Sequence, residues 1–386
     1  MKQSDTQTNG PTFLIVESQN QIRTLIKQML KYYNHRSYQV AHDGREALNI
    51  IQNKHIDIII SGWNVPTIRG IELLKRVKNT PDLFLIPFIL VSTENSMSKV
   101  IYALEEGVEG YLVVPFTEAD FSKILTKAID DRSNPDVYQL KMAQLIRHKF
   151  NKNYSSAIKI GYNLLEQRTN IRVSHLTSEC LYEIKEFDKA GDMVKQALTE
   201  QKSSKLLNLL GKICMASGKS DQAISYFKEA SLENPENPEG YILLAELYFR
   251  QDMHQKAQAL INVIIEEHNP STLELVQIGK LFLEFAPARA GIVLNRAYPI
   301  PETLEIFHTY ANVLGKGNQN KESITILEKC IAAIPDSHTS YYNLGVMHLK
   351  SGHYKKAQKA FEKTLKLKPQ YGLAQQYLTL IDEKLK

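Results

Sequence analysis

Few residues in this chain have the type and spacing that chemistry demands. Cys180, Cys214 and Cys330 form no C-x-x-C pair and have no histidine cluster at metal-ligand spacing. They read as small packing residues. The eleven histidines are scattered, and there is no glycine-rich phosphate loop, no G-x-S-x-G and no H-E-x-x-H. What remains is a set of positions at the ends of short apolar runs. Glu17 and Ser18 follow Phe13–Val16, Gly62 follows residues 57–61, Ser92 follows Pro87–Val91, and Pro115 follows Tyr111–Val114. A carboxylate there could act as nucleophile or cation ligand. Ser61 and Ser92 could be modified, although hydrogen bonding within their own loops is the simpler expectation.

Those apolar runs alternate with helical patterns. Residues 20–33 carry Ile22, Leu25, Ile26, Met29 and Leu30 on one face. A strand follows at Tyr38–Ala41, and Asp43-Gly44 turns into a helix around Ala47, Leu48 and Ile51. Further helices are expected over 70–78, 96–106 and 117–131. Continuous apolar strands alternating with helices imply a parallel sheet covered on both faces. Ligands of such sheets sit beyond the carboxyl ends of the strands, where the residues above are placed.

The segments LIVES, GREAL, DIIISGWNVPTIRGIELLKRV, PFILVST and EGVEGYLVVPFT resemble the receiver domain of two-component response regulators, of the chemotaxis type. The resemblance covers about 120 residues, and it implies a five-stranded doubly wound α/β sheet that accepts a phosphoryl group on an aspartate with bound Mg²⁺. The site departs from that family. Its two acidic residues after the first strand are here Glu17 and Ser18, and its phosphoacceptor aspartate is Gly62. Its lysine before the fifth-strand proline is Val114. The hydroxyl after the fourth strand is kept as Ser92 and the switch aromatic as Tyr111. Glycine offers no nucleophile, one carboxylate is a poor start for an octahedral ion, and valine cannot neutralise phosphoryl oxygens. The expectation is a degenerate phosphoacceptor pocket, a pseudo-receiver, with no productive Mg²⁺ binding and no other cofactor. Asp57, five residues before Gly62, falls at the opposite end of the strand and reads as structural. The resemblance further implies a cis bond before Pro115.

From about residue 138 the strand signals stop and a period near 34 begins. The clearest unit has Tyr341, Leu344, Gly345, His348, Tyr354, Ala357, Phe361 and Pro369, and resembles a tetratricopeptide repeat. Further units start near 304, 272, 238, 204, 171 and 138, with Pro287 marking an altered turn in the unit at 272. The expected organisation is a disordered N-terminus over 1–10, a receiver-like domain over 11–132, and a short linker over 133–137. About seven helix pairs then fill 138–371, and a capping helix fills 372–386, as the end of an all-α solenoid requires. Repeat numbering places Arg172, His175, Tyr182, Lys205, Asn208, Phe249 and Arg250 in a partner-binding groove, with Tyr182, Phe249 and Arg250 as exposed anchors. Lys205, Asn208 and Lys212 do not complete the lysine, asparagine and arginine set by which chaperone-binding members of that family grip a terminal carboxylate.

Composition narrows the reading. At 386 residues the chain is long enough for two or three domains, and 43% hydrophobic with 23% charged residues is globular. No apolar run reaches the roughly 18 residues of a membrane helix, and MKQSDTQTNG precedes no signal core. A reduced cytoplasmic location and a bacterial source are expected. Residues 1–132 are charge-balanced, so residues 133–386 carry the whole net +5. Six lysines between 355 and 368 could face an acidic partner, but nucleic-acid binding is not expected. The function expected is a non-enzymatic signalling adaptor that works through protein contacts. The alternatives are a phosphorelay regulator phosphorylated by an unusual route, and an assembly scaffold dimerising through the receiver face that carries Met97, Val100, Ile101, Tyr111 and Phe121.

Overall fold

The computed structural model describes residues 10–267 and 270–385. Residues 1–9, read above as part of a disordered N-terminus, lie outside it. The chain falls into two compact units, Met1–Asn269 and Pro270–Lys386.

The first unit opens with a five-stranded parallel sheet: β1 (Phe13–Val16), β2 (Tyr38–Ala41), β3 (Ile58–Gly62), β4 (Phe88–Ser92) and β5 (Gly110–Val113) in the order β2-β1-β3-β4-β5. Helices α1 (Asn20–Tyr32), α2 (Gly44–Asn53), α3 (Gly70–Asn79), α4 (Met97–Glu106) and α5 (Glu118–Ser133) form the crossovers. β1, β3 and β4 are buried along their whole length, because both sheet faces carry a core. Leu14, Ile59, Leu73 and Leu90 belong to one core, and Ile15, Ile26, Ile60 and Phe121 to the other. Asp43 caps α2 by accepting from the Arg45 and Glu46 amides, and Thr117 caps α5 by accepting from the Asp120 amide.

Only Asn134, Pro135 and Asp136 separate α5 from the first repeat helix, a shorter connection than the sequence suggested. Asp136 caps α6 (Val137–Phe150) through the Gln139 amide. The unit continues with α7 (Tyr154–Gln167), α8 (Ile171–Glu183), α9 (Phe187–Glu200), α10 (Ser204–Ala216), α11 (Ser220–Glu233), α12 (Glu239–Arg250) and α13 (His254–Glu267).

The second unit contains α14 (Thr272–Phe285), a 3₁₀ turn at Pro287–Arg289, the short α15 (Ala290–Leu294), and α16 (Leu304–Lys316) with α17 (Asn320–Ala333). It ends with α18 (His338–Lys350), α19 (Tyr354–Leu367) and α20 (Gly372–Leu385). The helices thus form seven successive pairs and a last single helix among the described residues. Their close approach explains the small residues of the repeat. A Cβ on Gly211 would lie 2.4 Å from the Phe227 ring, and one on Gly345 would lie 2.7 Å from the Phe361 ring. Phe227 and Phe361 are fully buried, so each pair locks a phenyl ring into the gap that glycine leaves.

Candidate functional site

The carboxyl ends of β1, β3 and β4 converge as the sequence requires, and the groups there are occupied with one another. Gly62 ends β3 in register with Val91, and Ser61 pairs in register with Val16. Glu17, immediately after β1, is almost wholly buried and turns its carboxylate toward Gly62. A Cβ at residue 62 would lie 2.2 Å from Glu17 Oε2. The acidic side chain that follows β1 therefore fills the space that a side chain at position 62 would enter. Burial raises the Glu17 carboxyl above its ordinary range, and the amide of Gln19, which donates to Oε1 at 2.8 Å, opposes that rise.

The other positions offer no replacement. Ser18 is exposed. Ser92 is buried, and its hydroxyl donates to the Glu94 carbonyl at 3.2 Å and accepts from the Glu94 amide at 3.1 Å, closing its own loop. Ser61 donates to the Gly62 carbonyl. Val114 packs on the apolar cluster beside α5, and the Val114–Pro115 bond is cis. Trp63 is buried, with Tyr102 and Tyr111 edge-on at 6.3 and 6.2 Å and the Lys99 ammonium 5.7 Å above its ring. Lys99 also pairs with Glu94. Among the described residues no group of three or more His, Cys, Asp or Glu is placed to hold a metal ion. Asp57 lies at the far end of β3, where it accepts from the Thr12 amide and pairs with Arg132 and His55.

The groove residues divide, and several expectations are corrected. Phe249 is fully buried with its ring 5.6 Å from His254, so it is a core residue and not an exposed anchor. Arg250 is half-exposed and pairs along its own helix with Glu246. Tyr182 is half-buried against Phe187. His175 and Lys149 both lie against the Glu179 carboxylate, at 3.4 and 3.0 Å. Burial opposes ionisation of Glu179, but His175, Lys149 and Lys212 overcome it and bring its carboxyl down to about 2. Glu239 is likewise brought down to about 2 against its burial, chiefly by Lys212 at 2.7 Å. Asn208 is buried. On the receiver face expected to dimerise, Met97 and Ile101 are exposed, whereas Phe121 is core.

Arg172 and Lys205 are committed to the receiver itself. The Arg172 guanidinium donates to the Lys78 carbonyl at 2.8 Å and the Glu106 carbonyl at 3.1 Å, and lies over the Phe84 ring. Lys205 pairs with the buried Glu106 at 2.7 Å. Sequence reading missed the receiver's half of this contact, Lys78, Glu105 and Glu106. One signal was available: two acids in the last turn of a helix oppose its macrodipole and need a compensating partner.

This geometry defines a class, a receiver-type α/β domain followed by helical-hairpin repeats. The sequence matches the response regulator receiver domain family over residues 13–126, and the tetratricopeptide repeat family over residues 215–273 and 338–371. It is 32% identical over 117 residues to chemotaxis protein CheY-3 of Vibrio cholerae, covering 30% of this chain and 90% of that protein. It is 33% identical over 119 residues to the chemotaxis protein CheY homolog of Campylobacter jejuni, covering 31% and 88%. A solved structure of chemotaxis response regulator CheY4 of Vibrio cholerae matches at 30% identity, 31% of this chain and 98% of that one, with a TM-score of 0.29. The chain belongs to the response regulator receiver family and carries tetratricopeptide repeats behind its receiver. Neither family is enzymatic, and no helix among the described residues is long and apolar enough to cross a membrane.

Proposed function

We propose that this chain is a non-enzymatic signalling adaptor, in which a receiver that cannot accept a phosphoryl group is joined to repeats that bind a protein partner. The observation that carries the first half is the Gly62–Glu17 contact. Phosphoryl transfer to a receiver needs a carboxylate at the end of β3 as nucleophile, and that position has no side chain. The neighbouring carboxylate occupies the vacant volume and accepts a backbone amide. Mg²⁺ does not fit the residues present. An octahedral oxygen site of this kind draws on several carboxylates, whereas of the acidic positions the resemblance implies only Glu17 is acidic here, and among the described residues no group of three or more His, Cys, Asp or Glu is placed to hold a metal ion. Val114 supplies no charge opposite a bound phosphoryl group. The adaptor reading places the protein in the cytoplasm.

The second half rests on the repeats. Tetratricopeptide arrays present the first helix of each pair to a ligand, and in this chain those helices carry Glu179, Lys205, Lys212 and Glu239 in charged pairs, with the His175 ring against Glu179. The test of the receiver uses Trp63, the only tryptophan, which directly follows Gly62. Titration with beryllofluoride and Mg²⁺ is expected to leave its fluorescence unchanged. A saturable quench that requires both components overturns the proposal.

A further inference from the structure

The contact between receiver and repeats has the chemistry of a bound ligand. At the C-terminus of α4, the Glu105 carboxylate accepts four hydrogen bonds from the repeats. Oε1 takes the Ser203 hydroxyl at 2.8 Å and the Ser204 amide at 3.0 Å; Oε2 takes the Ser204 hydroxyl at 2.9 Å and the Asn234 amide group at 3.2 Å. Ser203 is the N-cap of α10, so Glu105 sits on the positive end of that helix. Next to it, Glu106 pairs with Lys205 at 2.7 Å and with Lys75 at 3.6 Å. Burial opposes ionisation of Glu106, but the two lysines prevail and hold its carboxyl below the usual range. The negative end of α4 is answered in turn by Arg172, which bonds the Glu106 carbonyl. Gly107, in the left-handed region at φ +87°, makes room for it: a Cβ there would lie 1.6 Å from Arg172 Nη1.

The donors come from two successive repeat pairs, Arg172 from α8 and Ser203, Ser204, Lys205 and Asn234 from the α10–α11 pair, and converge on two adjacent residues at the end of α4. Nor are they used up. Asn208, one turn along α10 from Ser204 and 1% exposed, has neither side-chain nitrogen nor oxygen hydrogen-bonded. We propose that this inner face is an acid-binding surface held closed in cis, with Glu105–Glu106 as its resident ligand, and that a protein partner presenting paired acidic side chains at a helix end displaces the receiver from it. The inference deepens the adaptor reading and rests on its partner-binding half. The receiver then works as a competitor for the groove, not as a phosphoryl-driven switch.

The experiment uses the full-length chain and two variants, E105A/E106A and the isosteric E105Q/E106Q, which keeps the helix end intact if the alanine pair folds poorly. Hydrogen–deuterium exchange is read over residues 203–208. A fluorescein-labelled peptide of residues 97–109 serves as the acidic probe in fluorescence anisotropy. In the variants the first-turn amides of α10 are expected to exchange at least tenfold faster than in the wild type. The peptide is expected to bind the variants at least tenfold more tightly than the wild type, whose surface is already filled. Unchanged exchange in both variants overturns the proposal. So does peptide affinity that is equal in wild type and variants. Neither reading depends on Trp63 or on a natural partner, so failure of the pseudo-receiver assignment leaves these outcomes interpretable.

Discussion

Replacing Gly62 by aspartate restores the family's nucleophile on paper, and the structure predicts that it destabilises the receiver instead. A Cβ at residue 62 meets Glu17 Oε2 at 2.2 Å, Glu17 Cδ at 3.1 Å and Val65 Cγ1 at 3.3 Å. The glutamate end can swing, so Gly62→Ala costs about 1 kcal/mol, the low end for overpacking. The aspartate adds charge to a site where Glu17 is already buried. Two carboxylates about 4 Å apart repel by about 4 kcal/mol at an effective dielectric of about 20. Proton uptake by one of them relieves part of this, leaving a total loss of about 2–5 kcal/mol at pH 7. The sign of the pH dependence follows from the direction of the Glu17 shift. A carboxyl raised in the folded state binds its proton more tightly there than in the unfolded chain, so stability falls as pH rises through the folded value and returns as pH drops. The second carboxylate pushes the pair further the same way. The deficit of Gly62→Asp relative to wild type is therefore expected to shrink between pH 7 and pH 5, whereas that of the uncharged Gly62→Asn is not. Urea unfolding followed by the fluorescence of the buried Trp63 measures both. Wild-type stability of Gly62→Asp at pH 7, or a deficit that ignores pH, refutes the argument.

Adjacent residues on α12 provide a second test: Phe249→Ala is expected to cost about 3–5 kcal/mol as a large core truncation, and Arg250→Ala about 0.5 kcal/mol as loss of an exposed pair along the helix. Equal melting temperatures for the two variants would return Phe249 to the surface. On acidification, the ionised Glu179 and Glu239, both brought down to about 2, stabilise the folded chain fully above the ordinary glutamate value of 4.5. That contribution is lost as pH falls from there toward 2, and Glu179→Gln is expected to flatten the acid limb of a circular-dichroism titration.

β1, β3 and β4 were legible because each is a short apolar run of the kind that a doubly covered sheet buries, and the half-buried β2 and β5 because each lies between helical patterns. Phe13–Val16 and Tyr38–Ala41 are found at the residues expected, and β3 to β5 lie one residue displaced or less at each end. The loss of the acceptor was legible too, since Gly62 and Val114 are facts of residue type. That Glu17 fills the gap was not, because the direction of a side chain depends on its neighbours in space. Phe249 fell on the wrong side for a related reason. Repeat numbering gives the angle of a side chain about its helix, and not the packing that closes over it. Arg172 and Lys205 were assigned to a partner-binding groove, and the structure instead commits both to the receiver; nothing local to them announces a receiver helix returning to meet them.

The Glu105–Ser204 contact joins residues 99 apart in sequence, and this separation orders events during synthesis. The receiver's sheet is complete in the chain well before α10 exists. At about 5–20 residues per second, roughly 5–20 s pass between translation of α4 and of its partner helix. Through that interval the paired acids end a helix whose dipole they oppose, with water as their only solvation beyond Lys75. The N-terminal domain is thus born with its docking end unsatisfied, and the emergence of α10 is the step that converts a free-standing receiver into the first layer of the repeat array.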